Sequence, residues 1–184
     1  MTTTTTPLPV GTWTIDRSHS EVGFTVRHLM VSKVRGRFTR FDGTIEVGED
    51  HLASSVTASI DVSSIDTNDE GRDAHLRSAD FFEVETYPTM TFTSTAVRPK
   101  GSGYVVEGDL TLHGVTKAVA LDLEFEGVAT DPWGGTRAGF SATGEINRRD
   151  FGVDISMPLD GGGVVVGDKV KINLEIEAVL QPAA

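Results

Sequence analysis

Apolar and polar residues alternate along most of the chain. In KVKINLEIEAVL, Val170, Ile172, Leu174, Ile176, Ala178 and Leu180 share one parity, and Lys171, Asn173, Glu175 and Glu177 share the other. An extended chain points successive side chains to opposite faces, so this segment reads as a strand with one buried and one wet face. The same alternation turns Val119, Leu121, Leu123 and Phe125 inward in AVALDLEFEGV, Val56, Ala58, Ile60 and Val62 in SVTASIDVSSI, and Tyr104, Val106, Leu110 and Leu112 in GYVVEGDLTLHG. Turn-forming clusters separate these runs: PKGSG at 99–103, HGVTK at 113–117 and DPWGG at 131–135.

Strands are therefore expected near 11–16, 20–28, 33–47, 52–65, 88–98, 103–113, 117–130, 135–147 and 168–180. Several exceed the usual five or six residues. Short connections favour antiparallel neighbours in up-and-down order. Long one-sided strands avoid exposed edges by closing on themselves. An all-β, antiparallel barrel of about eight strands fits best, with a two-sheet sandwich as the alternative. Two segments break the alternation. NDEGRDAHLRSADFF, 68–82, carries helix formers and predicts one short helix capping an end. DFGVDISMPLDGGGVVVGD, 150–168, mixes apolar residues with glycines, and loops of that length are often functional.

A chain of 184 residues with 38% hydrophobic and 23% charged residues fits one globular domain. The domain is expected over 11–181, after a flexible tail at 1–10. That tail, MTTTTTPLPV, has no basic region and no apolar run, so it does not read as a signal peptide, and the default location is cytoplasmic. The net charge of −11 argues against nucleic acid, whose phosphates require clustered Lys and Arg, and against an anionic membrane surface. The lack of cysteine removes disulfides, thiol catalysis and thiolate metal sites.

The stretch HSEVGFTVRH, 19–28, invites a metal reading. In one strand, however, His19 and His28 have opposite parity and stand roughly 30 Å apart, so they cannot share an ion. The His-x-Glu at 19–21 lacks the Cys-x-x-Cys half of a zinc deaminase signature. DTNDEGRDAHLR, 66–77, approaches a calcium loop but places Arg77 where the bidentate glutamate belongs. GFSATG is one residue too long for a nucleophile elbow, and GGGVVVG fails the dinucleotide spacing. His51, His75 and His113 are scattered. What remains is a barrel whose interior either holds one small ligand or is filled by its own side chains, and periodicity does not separate the two.

Longer blocks carry more. TWTIDRSHSEVGFTVRHL, VRGRFTRFDGTI, SSIDTNDEGRDAHLRSADFFEVETYPTMTFTST, GDLTLHGVTKAV and INRRDFGV occur in order. Across about Gly11 to Leu180 the chain resembles the YceI-like family of polyisoprenoid-binding proteins. The resemblance implies an extended lipocalin-like barrel with a helix at one end. It implies an apolar tunnel for a long-chain lipid, such as a polyprenyl lipid or the tail of an isoprenoid quinone. No cofactor and no catalytic residue are called for, and homodimers are expected. A dozen buried methylenes at roughly 0.8 kcal/mol each could hold such a chain before ordering costs are subtracted.

Phe24, Val26, Phe38, Val56, Ile60, Phe92, Leu110, Leu112, Leu123 and Phe140 are assigned to the inner, ligand-binding face, though each would also serve as ordinary core. Phe38 and Phe41 differ in parity, so both face inward only across a bulge. His28 is the polar candidate at the end of that wall, for a ligand head group or the entrance. Val153, Ile155 and Met157 are assigned to a loop that gates or rims the tunnel. Arg72, Asp73, Arg77, Arg149 and Asp150 are expected to form ion pairs tying the helix and the last loop to the barrel, since a buried Arg needs a carboxylate. A carrier or sink for lipid is favoured. The alternatives are an enzyme using His28 or Tyr104 on such a lipid, and a packed-shut barrel acting through dimerisation.

Overall fold

The computed structural model of the chain describes residues 7–29, 31–155 and 166–183. Its strands are β1 (Gly11–Ile15), β2 (Glu21–His28), β3 (Ser32–Phe38), β4 (Phe41–Val47), β5 (Ser55–Asp61), β6 (Ile65–Asp66), β7 (Thr89–Lys100), β8 (Gly103–Leu112), β9 (Val115–Thr130), β10 (Thr136–Asn147) and β11 (Val166–Leu180). The helix α1 (Glu70–Arg77) stands between β6 and β7. All described pairings are antiparallel.

Three pairs of strands are each one barrel stave broken midway. β1 and β2 both run along the same edge of β11, β4 and β3 pair with them in turn, and β5 and β6 follow. The result is an eight-stave, up-and-down barrel, closed where β11 meets β1 and β2. Closure leaves no free edge along the main staves, which is how strands of up to sixteen residues stay out of intermolecular pairing.

The breaks have local causes. At the corner between β3 and β4, the buried Ser64 hydroxyl accepts the N–H groups of Thr39 (3.1 Å) and Arg40 (3.0 Å) and donates to the Asp61 carbonyl (2.6 Å). Those two N–H groups leave the ladder without being orphaned. The corner resets the parity, so Phe38 and Phe41 both turn inward and both are buried. Between β1 and β2 the Asp16 side chain accepts the Ser18 N–H (2.9 Å), nucleating one turn of 3-10 helix over Arg17–His19.

The helix is shorter than the helical segment expected at 68–82. Asp69 caps it by accepting the Arg72 N–H (2.9 Å), and turns follow from Ser78 to Tyr87. Eight residues do not hold a helix alone in water, so α1 depends on its anchors. Arg77 donates to the carbonyls of Ser63 (2.8 Å) and Ile65 (3.1 Å). Arg72 donates to the hydroxyl (2.8 Å) and carbonyl (2.7 Å) of Thr67, whose N–H in turn reaches the buried Asp73 (2.9 Å). The expected ion-pair network is thus corrected here: Arg72 and Arg77 hold backbone oxygens. β6 is only two residues long, so nearby carbonyls lack ladder partners, and a planar guanidinium satisfies them.

Residues 7–10 also depart from the flexible tail expected over 1–10. Trp13 is fully buried, and its indole N–H donates to the Pro9 carbonyl (3.1 Å). Leu8 packs against the cluster around Trp13, and its carbonyl lies 3.3 Å from His51 Nε2. A buried indole needs an acceptor, and here the preceding segment supplies it.

Candidate ligand-binding cavity

Every stave contributes apolar side chains to a cavity of about 510 Å³, within the usual span for small-molecule sites. It is lined from the helix end (Leu76, Phe81, Phe82, Val153, Val166) to the opposite end (Leu8, Val47, Val97). Two buried clusters flank it. One is built on Phe38, Phe41, Ile65 and Phe151 toward the helix, the other on Trp13, Val47, Phe140 and Ala178. The polar residues of the lining are His51, Ser54, Ser55 and Tyr104 toward one end, Asp42 between, and Arg148 at the other end.

Of the residues assigned to ligand binding, Phe24, Val26, Phe38, Val56, Ile60, Phe92, Leu110, Leu112, Leu123, Phe140 and Val153 line this cavity. His28 does not. It closes β2 in the hairpin opposite Ser32, and the lining stops at Val26 and Val166. Parity correctly aligned His28 with Val26, but the wall ends one step earlier. Ile155 is half-buried and does not line the cavity, and Met157 lies outside the described residues. Val62, given inward parity, is buried on a 3-10 turn rather than on the wall. Phe81 and Phe82, which follow the helix, both line the cavity, and Phe81 is buried.

Two of the phenylalanines rest on glycine. Phe24 lies across from Gly36, where an added Cβ would fall under 3.0 Å from three of its ring carbons; at Gly108 it would fall that close to two ring carbons of Phe92 and to the Thr93 carbonyl. Only a residue without a side chain lets these rings lie flat on the wall. Gly36→Ala should therefore swing Phe24 off its seat and cost about 1–3 kcal/mol of stability, read by denaturant unfolding. An unchanged midpoint would show that the ring is not held there.

Arg148 is the functional candidate that residue-by-residue reading passed over. Its signal was present: Phe140, Ala142, Gly144, Ile146 and Arg148 share one parity along and just past β10. The side chain is buried. Its Nε donates to Gly167 O (3.0 Å), Nη1 to Val153 O (2.7 Å), and Nη2 to Val166 O and the Asp168 carboxylate (both 3.4 Å). Burial draws its pKa below the usual arginine value, and the Asp168 charge opposes that shift. A guanidinium has five N–H donors; among the described residues four are engaged, and Arg148 is part of the cavity lining. Arg149, next in the chain, is more exposed and donates to the same Asp168 carboxylate (2.8 Å). Among the described residues that is the one ion pair made by the charged residues expected to pair; Asp150 is exposed.

His19 belongs to a different cluster, on the outside. Its Nδ1 is 2.9 Å from Asp16 and 3.4 Å from Glu177. The three residues could surround an ion, but Arg137 already bridges the two carboxylates, with Nη1 2.7 Å from Asp16 and 2.8 Å from Glu177, and its Nε 2.9 Å from Asp131. A guanidinium in that position takes the role a cation would have. Hydrogen bonds from Ser18, Arg137 and His19 hold the Asp16 carboxyl far below the ordinary 3.8. Arg137 and the Gly135 N–H lower Asp131, and Ser63 with Arg40 lowers Asp61.

These folded-state values lie below the unfolded one. Their contribution to stability is complete above about pH 4 and declines as pH falls through each folded value, Asp16 last. Thermal melts from neutral pH downward should show that decline, and Arg137→Ala should flatten it. A slope unchanged by that substitution would remove the cluster from acid stability.

Comparison with known proteins gives a consistent result. The YceI-like domain matches residues 13–178. Protein YceI of Escherichia coli is 47% identical over 136 residues, covering 73% of this chain and 71% of that protein. The crystal structure of Burkholderia cenocepacia BcnA superposes with a TM-score of 0.74 at 25% identity, covering 89% of this chain and 98% of that one. A polyisoprenoid-binding domain from Saccharophagus degradans shares the fold, with a TM-score of 0.68 at 17% identity over 92% of this chain and 98% of that domain.

Proposed function

The chain belongs to the YceI-like domain family, and from that premise we propose that it is a non-catalytic carrier or store for a long-chain isoprenoid lipid. The apolar chain, a polyprenyl group or a quinone tail, lies along the barrel axis. The head group sits at the helix end, where the remaining Arg148 N–H meets a carbonyl, phosphate or carboxylate oxygen. The observation that carries this reading is the cavity: an apolar wall drawn from every stave, with one buried cation at one end. A wall of this kind binds by removing apolar area from water, and its few polar groups set orientation.

The Saccharophagus domain, named for polyisoprenoid binding, has the same architecture and supports the ligand class. The enzyme reading has less support. His28 stands off the cavity, and among the described residues no side chain hydrogen-bonds Tyr104 to prepare it as an acid or base. Organic extraction of the purified protein, followed by mass spectrometry, is the test. Recovery of one isoprenoid lipid in near-stoichiometric amount is expected. A protein that carries no lipid and takes up none from a bacterial lipid extract would end this reading in favour of a closed barrel.

A further inference from the structure

The outward faces of β11, β2 and β3 are sorted by charge along the barrel axis. Toward the β1 end they carry Glu21, Glu175 and Glu177; toward the β2–β3 hairpin they carry Arg27, Lys33, Arg35, Lys169 and Lys171. The register brings Lys171, Thr25 and Arg35 into one row and sets Arg27 directly opposite Lys33. All five cations are exposed. Lys169 approaches Glu145 at 3.8 Å, and Lys171 stands opposite the same Glu145 across the β10–β11 ladder; among the described residues Arg27, Lys33 and Arg35 make no ion pair. Like charges placed opposite one another weaken a strand pair, so the fold gains nothing from this arrangement. The hairpin tip adds apolar surface: Val31 is 84% exposed and Leu29 is 38% exposed. Val26 and Val166, where the cavity lining ends, lie just behind it.

We propose that this end of the barrel docks on an anionic lipid bilayer, with its exposed cations on lipid phosphates and the side chains of Leu29 and Val31 in the headgroup layer. The charge pattern selects an anionic surface. The exposed aliphatic tip selects a bilayer over nucleic acid, which offers no apolar layer to receive it. The overall charge of −11 does not oppose this, because screening limits each cation's reach to about 10 Å. The face that meets the surface is therefore what counts. Docking here would bring the Val26–Val166 end of the cavity to the membrane.

The test is flotation of the full chain with phosphatidylcholine vesicles containing one quarter phosphatidylglycerol, beside pure phosphatidylcholine. Binding to the anionic vesicles alone is expected, and high salt should weaken it. Each cation near such a leaflet contributes about fivefold, so Lys33→Glu/Arg35→Glu should lower affinity by more than about twentyfold. Val31→Asp should lower it too, by removing apolar surface from the tip and adding a like charge. These side chains are exposed, and melting curves check that the variants fold; Lys33→Gln/Arg35→Gln is the milder second pair. Failure of the native protein to float overturns the proposal, as does equal flotation of the charge-reversed protein. Binding to a short DNA duplex that Val31→Asp leaves intact, with vesicle binding also unaffected, would reassign the patch to polyanions and overturn it too. Flotation does not depend on an occupied cavity, so this result and the extraction result are read separately.

Discussion

Lipid recovered from the Ala142→Trp protein should fall to background while the barrel still folds. Ala142 lines the cavity midway along β10, between Leu123 of β9 and Leu174 of β11, which also line it. An indole at that position projects into the void and divides the tunnel. Excluding about six methylenes forfeits about 5 kcal/mol, more than three orders of magnitude in affinity. Overpacking usually costs about 1–3 kcal/mol, but here the ring enters empty space, so the melting temperature should move by only a few degrees. Native mass spectrometry of the two proteins decides the matter. Full occupancy in the variant would mean that the lipid does not run past position 142.

Arg148→Ala should have the largest effect on stability, about 3–5 kcal/mol. The substitution leaves the carbonyls of Gly167, Val153 and Val166 without their donor and Asp168 with one partner fewer. Orphaned buried acceptors and broken buried charge contacts cost in that range. For a domain of this size the melting temperature should drop on the order of 10 °C. Arg148→Lys should restore little, since one ammonium cannot span three carbonyls in a plane. The role in binding is read separately, at a temperature where the variant remains folded. A lipid with a polar head should lose affinity, and a plain hydrocarbon of equal length should not. Equal loss for both would leave Arg148 a purely structural residue.

The alternation in β8, β9 and β11 made both the staves and their inner faces legible, because a pleated strand forces period 2 wherever one face is dry. The same rule carried along β10 reaches Arg148, so the buried cation was also within reach of parity. The corner at Thr39 and Arg40 was not. It depends on the Ser64 hydroxyl, 24 and 25 residues away in the chain, and that contact exists only after β3–β4 and β5–β6 are aligned. His28 shows the limit from the other side: parity states which way a side chain points, but not where the wall ends.

By itself, then, the sequence pointed to an all-β barrel, to most of its inward residues, to one capping helix and to membership of the YceI-like family. These follow from local periodicity and from contiguous blocks of residues. Only the tertiary structure decided that the interior is hollow, that Gly36 and Gly108 seat Phe24 and Phe92, and that α1 is held by backbone carbonyls. It also decided the charge map. A net charge of −11 is a sum over the chain, whereas the cations of the β2–β3 hairpin and β11 become one surface through inter-strand register. Register is a property of residues far apart in the chain, and no local pattern encodes it.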